Sequence, residues 1–133
     1  MKHIRDCILL LALVAVTPAI CHPQHMNEKD SPRPNAVTTL DMAQCFSKAK
    51  ASSDGELTAL YNKVLSKLEG DDADRLTKVE QLWNEYREAN CSAERALYQG
   101  GSAAPVVYLA CSDAMTRTRI TELRQTYAVR LKE

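Results

Sequence analysis

Trp83-Asn84-Glu85-Tyr86-Arg87-Glu88-Ala89-Asn90-Cys91, followed by Tyr98-Gln99-Gly100-Gly101-Ser102 and then by Pro105 to Cys111, is the stretch whose reading decides the fold. Leu76, Val79, Trp83, Tyr86, Asn90, Ala93 and Leu97 recur at gaps of three and four residues. That spacing predicts one face of an α-helix, apolar except at Asn90. Gly100-Gly101 ends the helix, because glycine reaches the left-handed backbone that helix C-termini often need. Ser102 is placed to cap a following helix, and Pro105 is tolerated in its first turn, where backbone donors have no helical acceptor. Cys91 stands ten residues before Gly101 and Cys111 ten residues after it. In an antiparallel pair hinged on the glycines the two sulfurs reach the same height, which predicts a Cys91–Cys111 bridge. Cys45 is the rival partner for either one.

Working outward, helical periodicity begins at Thr38, an N-cap with Asp41 three residues on. Leu40, Ala43, Phe46 and Ala49 form a short amphipathic face. Ser53-Asp54-Gly55-Glu56 reads as a second capping box, and Leu57, Leu60, Tyr61, Val64, Leu65 and Leu68 resume the pattern. One kinked helix or two helices end to end both satisfy it. Gly70-Asp71-Asp72 closes this segment, and its aspartates suit the positive N-terminal end of the next helix. On the far side of the glycines, Val106, Leu109, Met115, Ile120, Leu123, Tyr127 and Leu131 predict a helix running to the end of the chain. No alternating β-branched run flanked by turns is present. The fold class expected is all-α: a small antiparallel bundle of three to four helices stapled by a disulfide.

The start of the chain reads differently. Lys2, His3 and Arg5 precede an apolar run, Ile8 to Val16, that is too short for a mature membrane anchor. Small residues at Thr17-Pro18-Ala19 suit a signal peptidase. We therefore expect a signal peptide over 1–21, a flexible tether over 22–37 and a helical domain over 38–133, in a periplasmic or secreted protein with no membrane span. Cys21 offers a lipoprotein anchor as the lesser alternative, because Ile20 stands where a small residue is wanted. An oxidising compartment lets Cys45, Cys91 and Cys111 form bridges.

The formal charge of the 133-residue chain is zero, but its distribution is uneven. Residues 54–95 hold ten acidic and six basic residues, a net charge of −4, and the segment from Pro105 carries +2. Solvated helix faces account for this. An acidic surface suited to a cationic partner is the sharper reading. No basic cluster interleaved with aromatics is present, so nucleic acid is not an expected partner.

No catalytic constellation is visible. The three histidines are His3, His22 and His25, all before residue 38, so the helical region lacks the commonest general base and a common zinc ligand. Cys21, His22, His25 and Met26 have no recognised copper spacing. We expect no enzyme activity, no cofactor and no metal. Trp83, Arg87 and Arg119 read as structural, with each guanidinium tying helices together through a carboxylate while its stem packs on Trp83.

These residues carry a resemblance. Cys45 with Ala49, Leu57 with Tyr61, Trp83-x-x-Tyr86-Arg87-Glu88-x-x-Cys91, Tyr98-x-Gly100-Gly101-Ser102, and Cys111 with Thr116-x-x-Arg119-x-x-Glu122-Leu123 resemble the LprI-type lysozyme-inhibitor family. The similarity spans roughly Leu40 to Leu123. Thr58 stands where the pattern commonly has Asn, and Glu88 where Asp is usual. The resemblance implies a small exported helical domain whose partner is a lysozyme-type glycosidase. Lysozymes cut with paired carboxylates in a cleft. A narrow, exposed hairpin tip rich in backbone donors fits such a cleft, which makes Tyr98, Gly100, Gly101 and Ser102 the candidate partner-binding residues. A plain tight turn is the other reading of that tip. The alternative function is a non-enzymatic envelope or immunity-like protein that binds another partner through its helical faces.

Overall fold

The computed structural model describes residues 25–29, 31–32 and 35–132. The leader read over 1–21 lies outside them. Three α-helices follow one another: α1 (Thr39–Leu65), α2 (Asp71–Ala96) and α3 (Ala104–Thr126). A 3-10 turn at His25–Asn27 precedes them and another at Arg130–Lys132 follows. No strand occurs among the described residues, and none of their helices is long and apolar enough to cross a membrane. The all-α, disulfide-stapled bundle expected from the sequence is the fold observed.

Helix α1 begins as its residues dictate. The Thr38 hydroxyl accepts the Asp41 amide at 3.1 Å, and the Asp41 carboxylate accepts the Thr38 amide at 3.0 Å. These two bonds satisfy two donors that a helix start leaves open. The second capping box does not form. Ser53-Asp54-Gly55-Glu56 lies inside one continuous helix, because Ser53 is buried and spends its hydroxyl on Asp113 of α3 at 2.8 Å. Leu40, placed on the inner face by its spacing, is 66% exposed.

The third helix is the centre of the bundle, packed against both α1 and α2, which touch one another far less. Eleven of its 23 residues are buried, including the unbroken run Ala110 to Ala114. Burial on several faces requires neighbours to come close, and Ala110, Cys111, Ser112 and Ala114 are small enough to allow it. The helix ends at Thr126, short of the chain terminus, and the 3-10 turn brings Leu131 back onto the core.

The core has two apolar parts. One gathers Leu57, Val64, Leu76, Ile120 and Leu123 near the α1–α2 turn, with Trp83, Tyr127 and Leu131 packed against it. The other gathers Phe46, Val106 and Ala110 toward the opposite end, joined by Met42, Leu109 and Met26. Polar residues from all three helices occupy the level between them: Ser53 and Asp54, Arg87, and Ser112, Asp113 and Thr116.

The inner face of α2 differs from the one its apolar spacing predicts. Val79 is 47% exposed, Tyr86 61% and Leu97 79%. The positions turned inward are Leu76, Glu80, Trp83, Arg87, Cys91 and Glu94, which keep the same three-and-four spacing in a rotated phase. Three cross-helix links fix that phase. Cys91 must reach Cys111, Arg87 reaches Asp54, and Glu80 reaches Arg119. Trp83 is accordingly only partly buried.

Candidate functional site

The connection between α2 and α3 carries all four residues proposed for partner binding. The Gly101 amide donates to the Tyr98 carbonyl at 3.1 Å, closing a turn over Tyr98-Gln99-Gly100-Gly101. Gly100, third in that turn, has φ +82°, a conformation that L-residues with side chains rarely adopt. Gly101 has no positive φ, and a Cβ added there meets only the Tyr98 carbonyl oxygen, at 3.4 Å. The need for glycine thus rests on Gly100. Gly100, Gly101 and Ser102 are exposed and Tyr98 is half-buried.

Ser102 does not cap α3. The N-cap position falls on Ala103, and no side chain bonds to the helix start. Among the described residues the amides of Gly100, Ser102 and Ala103 donate to no backbone carbonyl, and the Ser102 hydroxyl has no bond. The first turn of α3 also contains no acid. Open donors and the positive end of the helix dipole therefore meet at the tip, an arrangement that suits a carboxylate. A depression of about 450 Å³ beside the tip runs along Ser92, Arg95, Gln99, Gly101 and Pro105.

Twenty residues apart in sequence, Cys91 and Cys111 form the disulfide that holds the two stems of this hairpin. Cys45 is free and part-buried on α1, so the rival pairing is not made. Behind the staple lies the polar level. Arg87 Nη1 donates to Asp54 Oδ1 at 2.8 Å and to the buried Thr116 hydroxyl, while Lys50 pairs with the other Asp54 oxygen. Burial alone would raise the Asp54 pKa, but the Lys50 and Arg87 bonds outweigh it and hold the carboxyl below its ordinary value. Glu88, which accepts the Tyr108 hydroxyl at 2.6 Å, is lowered chiefly by that bond, and the Tyr108 phenol is raised by the same contact.

Two guanidiniums lie against Trp83, that of Arg87 at 5.0 Å and that of Arg119 at 5.9 Å from its ring centroid. Arg119 also sends Nε and Nη2 to the same oxygen of Glu80, at 3.1 and 3.0 Å. These arginines are consumed by the fold and offer little to an outside ligand.

His25, read as part of the tether, is set against the hairpin. Its Nδ1 lies 2.7 Å from Glu28 and its Nε2 3.6 Å from Glu94. Glu28 in turn meets Arg117 of α3 at 3.3 Å. His25, Glu94 and Cys111 come close enough to resemble a metal ligand set, but the Cys111 sulfur is committed to the disulfide. Nothing in the sequence signalled this contact, because a histidine in a proline-rich polar segment has no periodicity to read.

A family model described as lysozyme inhibitor LprI matches residues 30–123. An uncharacterized protein of Rhizobium meliloti (strain 1021) is 25% identical over 103 residues, covering 68% of this chain and 74% of that protein. No solved structure matches the chain.

Proposed function

Because the chain belongs to the lysozyme inhibitor LprI family, we propose that it is an exported binding protein that inhibits a lysozyme-type peptidoglycan hydrolase by placing the Tyr98–Ser102 tip in the active-site cleft. The observation that carries this reading is the uncapped start of α3. Amides without a backbone acceptor at Gly100, Ser102 and Ala103 and a free Ser102 hydroxyl gather at the turn between α2 and α3. Glycosidase clefts of this kind hold two carboxylates. Charge-assisted bonds from backbone N–H groups to carboxylates are among the stronger hydrogen bonds proteins make. The disulfide holds both stems at a fixed spacing, so little ordering entropy is lost when the tip docks. Export follows from the leader read over 1–21 and agrees with a target outside the cytoplasm.

Lysis of cell-wall suspensions by a lysozyme, followed by turbidity in the presence of the purified protein, tests this reading. The wild type slows clearing. Gly101→Trp, tolerable in the fold because Gly101 has no positive φ and a Cβ there meets only the Tyr98 carbonyl oxygen, removes the effect. Full inhibition by folded Gly101→Trp would move the binding surface elsewhere.

One observation favours a second surface. Val79, Leu82 and Tyr86, between 47% and 61% exposed, line up along the outer side of α2. A partner gripping a helical face would use this stripe, and Tyr86→Ser would then weaken binding while Gly101→Trp would not.

A further inference from the structure

The lower part of the bundle holds a groove that the tip does not use. Because α1 and α2 scarcely touch, they leave an open trough of about 440 Å³ between them, floored by the buried Leu57 and walled by residues of both helices. Tyr61 of α1 reaches across to Thr77 of α2, its hydroxyl 3.2 Å from the Thr77 oxygen. Arg87 and Asp54 close the other end.

Glu80 lines this groove and is 93% buried, being 7% exposed. Both of its bonds from Arg119 fall on Oε2, and Oε1 is buried with no hydrogen-bond partner. An unsatisfied buried carboxylate oxygen is costly, and each such atom in a native fold calls for an explanation. We propose that the groove between α1 and α2 binds a neutral polyhydroxylated ligand of one or two sugar rings, one of whose hydroxyls donates to Glu80 Oε1.

The charges around the groove select this chemistry. Glu80 is already matched by Arg119, and Asp54 by Arg87 and Lys50, so a cation meets no uncompensated charge. An anion meets the Glu80 carboxylate, whose second oxygen has no donor, and is repelled. A neutral donor satisfies Oε1 without disturbing either balance. Hydroxyls that both donate and accept also match the side-chain amide of Gln81 and the hydroxyls of Thr58 and Thr77 at the rim, while Leu57 and Tyr61 supply apolar surface for a ring face. The volume falls within the range of small-ligand sites, too small for a folded partner.

The test is a titration of the intact, oxidised mature chain, observed through its backbone amide resonances, with N,N′-diacetylchitobiose and with maltose. The proposal expects saturable shifts confined to the groove, at Thr58, Tyr61, Thr77 and Gln81, with a Kd near the millimolar range. Glu80→Gln, which keeps the shape but weakens the acceptor, should loosen binding by roughly tenfold, in keeping with a hydrogen bond to a charged group. Gln81→Trp fills the groove from an exposed position without touching the Glu80–Arg119 pair, and should abolish the shifts even if Glu80→Gln does not fold. Failure of both sugars to give saturable shifts, shifts centred elsewhere, an equal response to glycerol, or unchanged binding in Gln81→Trp would overturn it. None of these outcomes depends on lysozyme inhibition, so this site and the tip stand or fall separately.

Discussion

Arg87 of α2 and Asp54 of α1 meet at 2.8 Å, Nη1 to Oδ1, across a level of the bundle where α3 contributes the buried Thr116. This contact joins three helices at one point, with Lys50 as the second cation on Asp54. Arg87→Met preserves much of the stem packing on Trp83 but leaves Asp54 with Lys50 as its one cation and takes a donor away from the Thr116 hydroxyl. We expect a loss of about 2–3 kcal/mol, below the figure for a fully buried pair because Asp54 is one-third exposed. Urea unfolding of the variant measures it. The double variant Arg87→Met with Asp54→Asn should recover part of the loss, as coupled partners do.

The same pair sets an acid limit. Asp54 has a folded-state pKa below its unfolded value, so its stabilisation is complete above the unfolded pKa. It disappears as pH falls through the lower, folded value. The wild type should therefore exceed Asp54→Asn in stability at neutral pH, and the gap should close below about pH 4. Urea midpoints for the two proteins on a pH series decide the matter, and a constant gap would show that Asp54 acts through packing.

Cys91–Cys111 closes a segment of 20 residues, and the chain-entropy relation assigns such a loop about 3 kcal/mol. Removing both sulfurs as a Cys91→Ser, Cys111→Ser pair should lower the urea midpoint accordingly and leave Cys45 as the free thiol among the described cysteines. Differential scanning calorimetry on oxidised and reduced wild type gives an independent reading.

Trp83→Ala removes a ring that is partly exposed but touched by two guanidiniums. The expected cost is about 2–3 kcal/mol, less than the 3–5 typical of enclosed aromatics. A loss at the upper figure would mean that Arg87 and Arg119 depend on the ring for their positions.

At the tip, the two glycines should behave unequally. Gly100→Ala must carry a side chain at φ +82° and should cost about 1 kcal/mol, whereas Gly101→Ala should be near neutral. Thermal melts distinguish them. In inhibition assays, Glu85→Lys should slow encounter with a cationic lysozyme at low salt only, while tip substitutions should act at every ionic strength.

Sequence alone determined the helical class, the hairpin hinged at the Gly100-Gly101 pair and the Thr38–Asp41 start of α1, and it favoured the Cys91–Cys111 pairing that the structure makes while Cys45 stays free. Each of these rests on local chemistry: a backbone period, a glycine φ, a side chain within reach of its own helix end, and two sulfurs equidistant from a turn. Part of the family pattern, the two cysteines and the Gly100-Gly101-Ser102 turn, sits at those points.

Tertiary structure decided which way α2 faces, and there apolar spacing misled. Val79, Tyr86 and Leu97 share a helical period with Leu76, but so do Glu80, Arg87 and Cys91, and period does not fix phase. Phase was fixed by partners 20 to 39 positions away in sequence, Cys111, Asp54 and Arg119, whose combined bonds outweigh the burial of three apolar side chains. The same holds for Ser53, which reads as a cap by its neighbours and becomes a core residue because Asp113 waits for its hydroxyl. Ser102 is left free because α3 starts one residue later than its hydroxyl needs. Such choices depend on what another helix places opposite, and a linear pattern of residues carries no record of that.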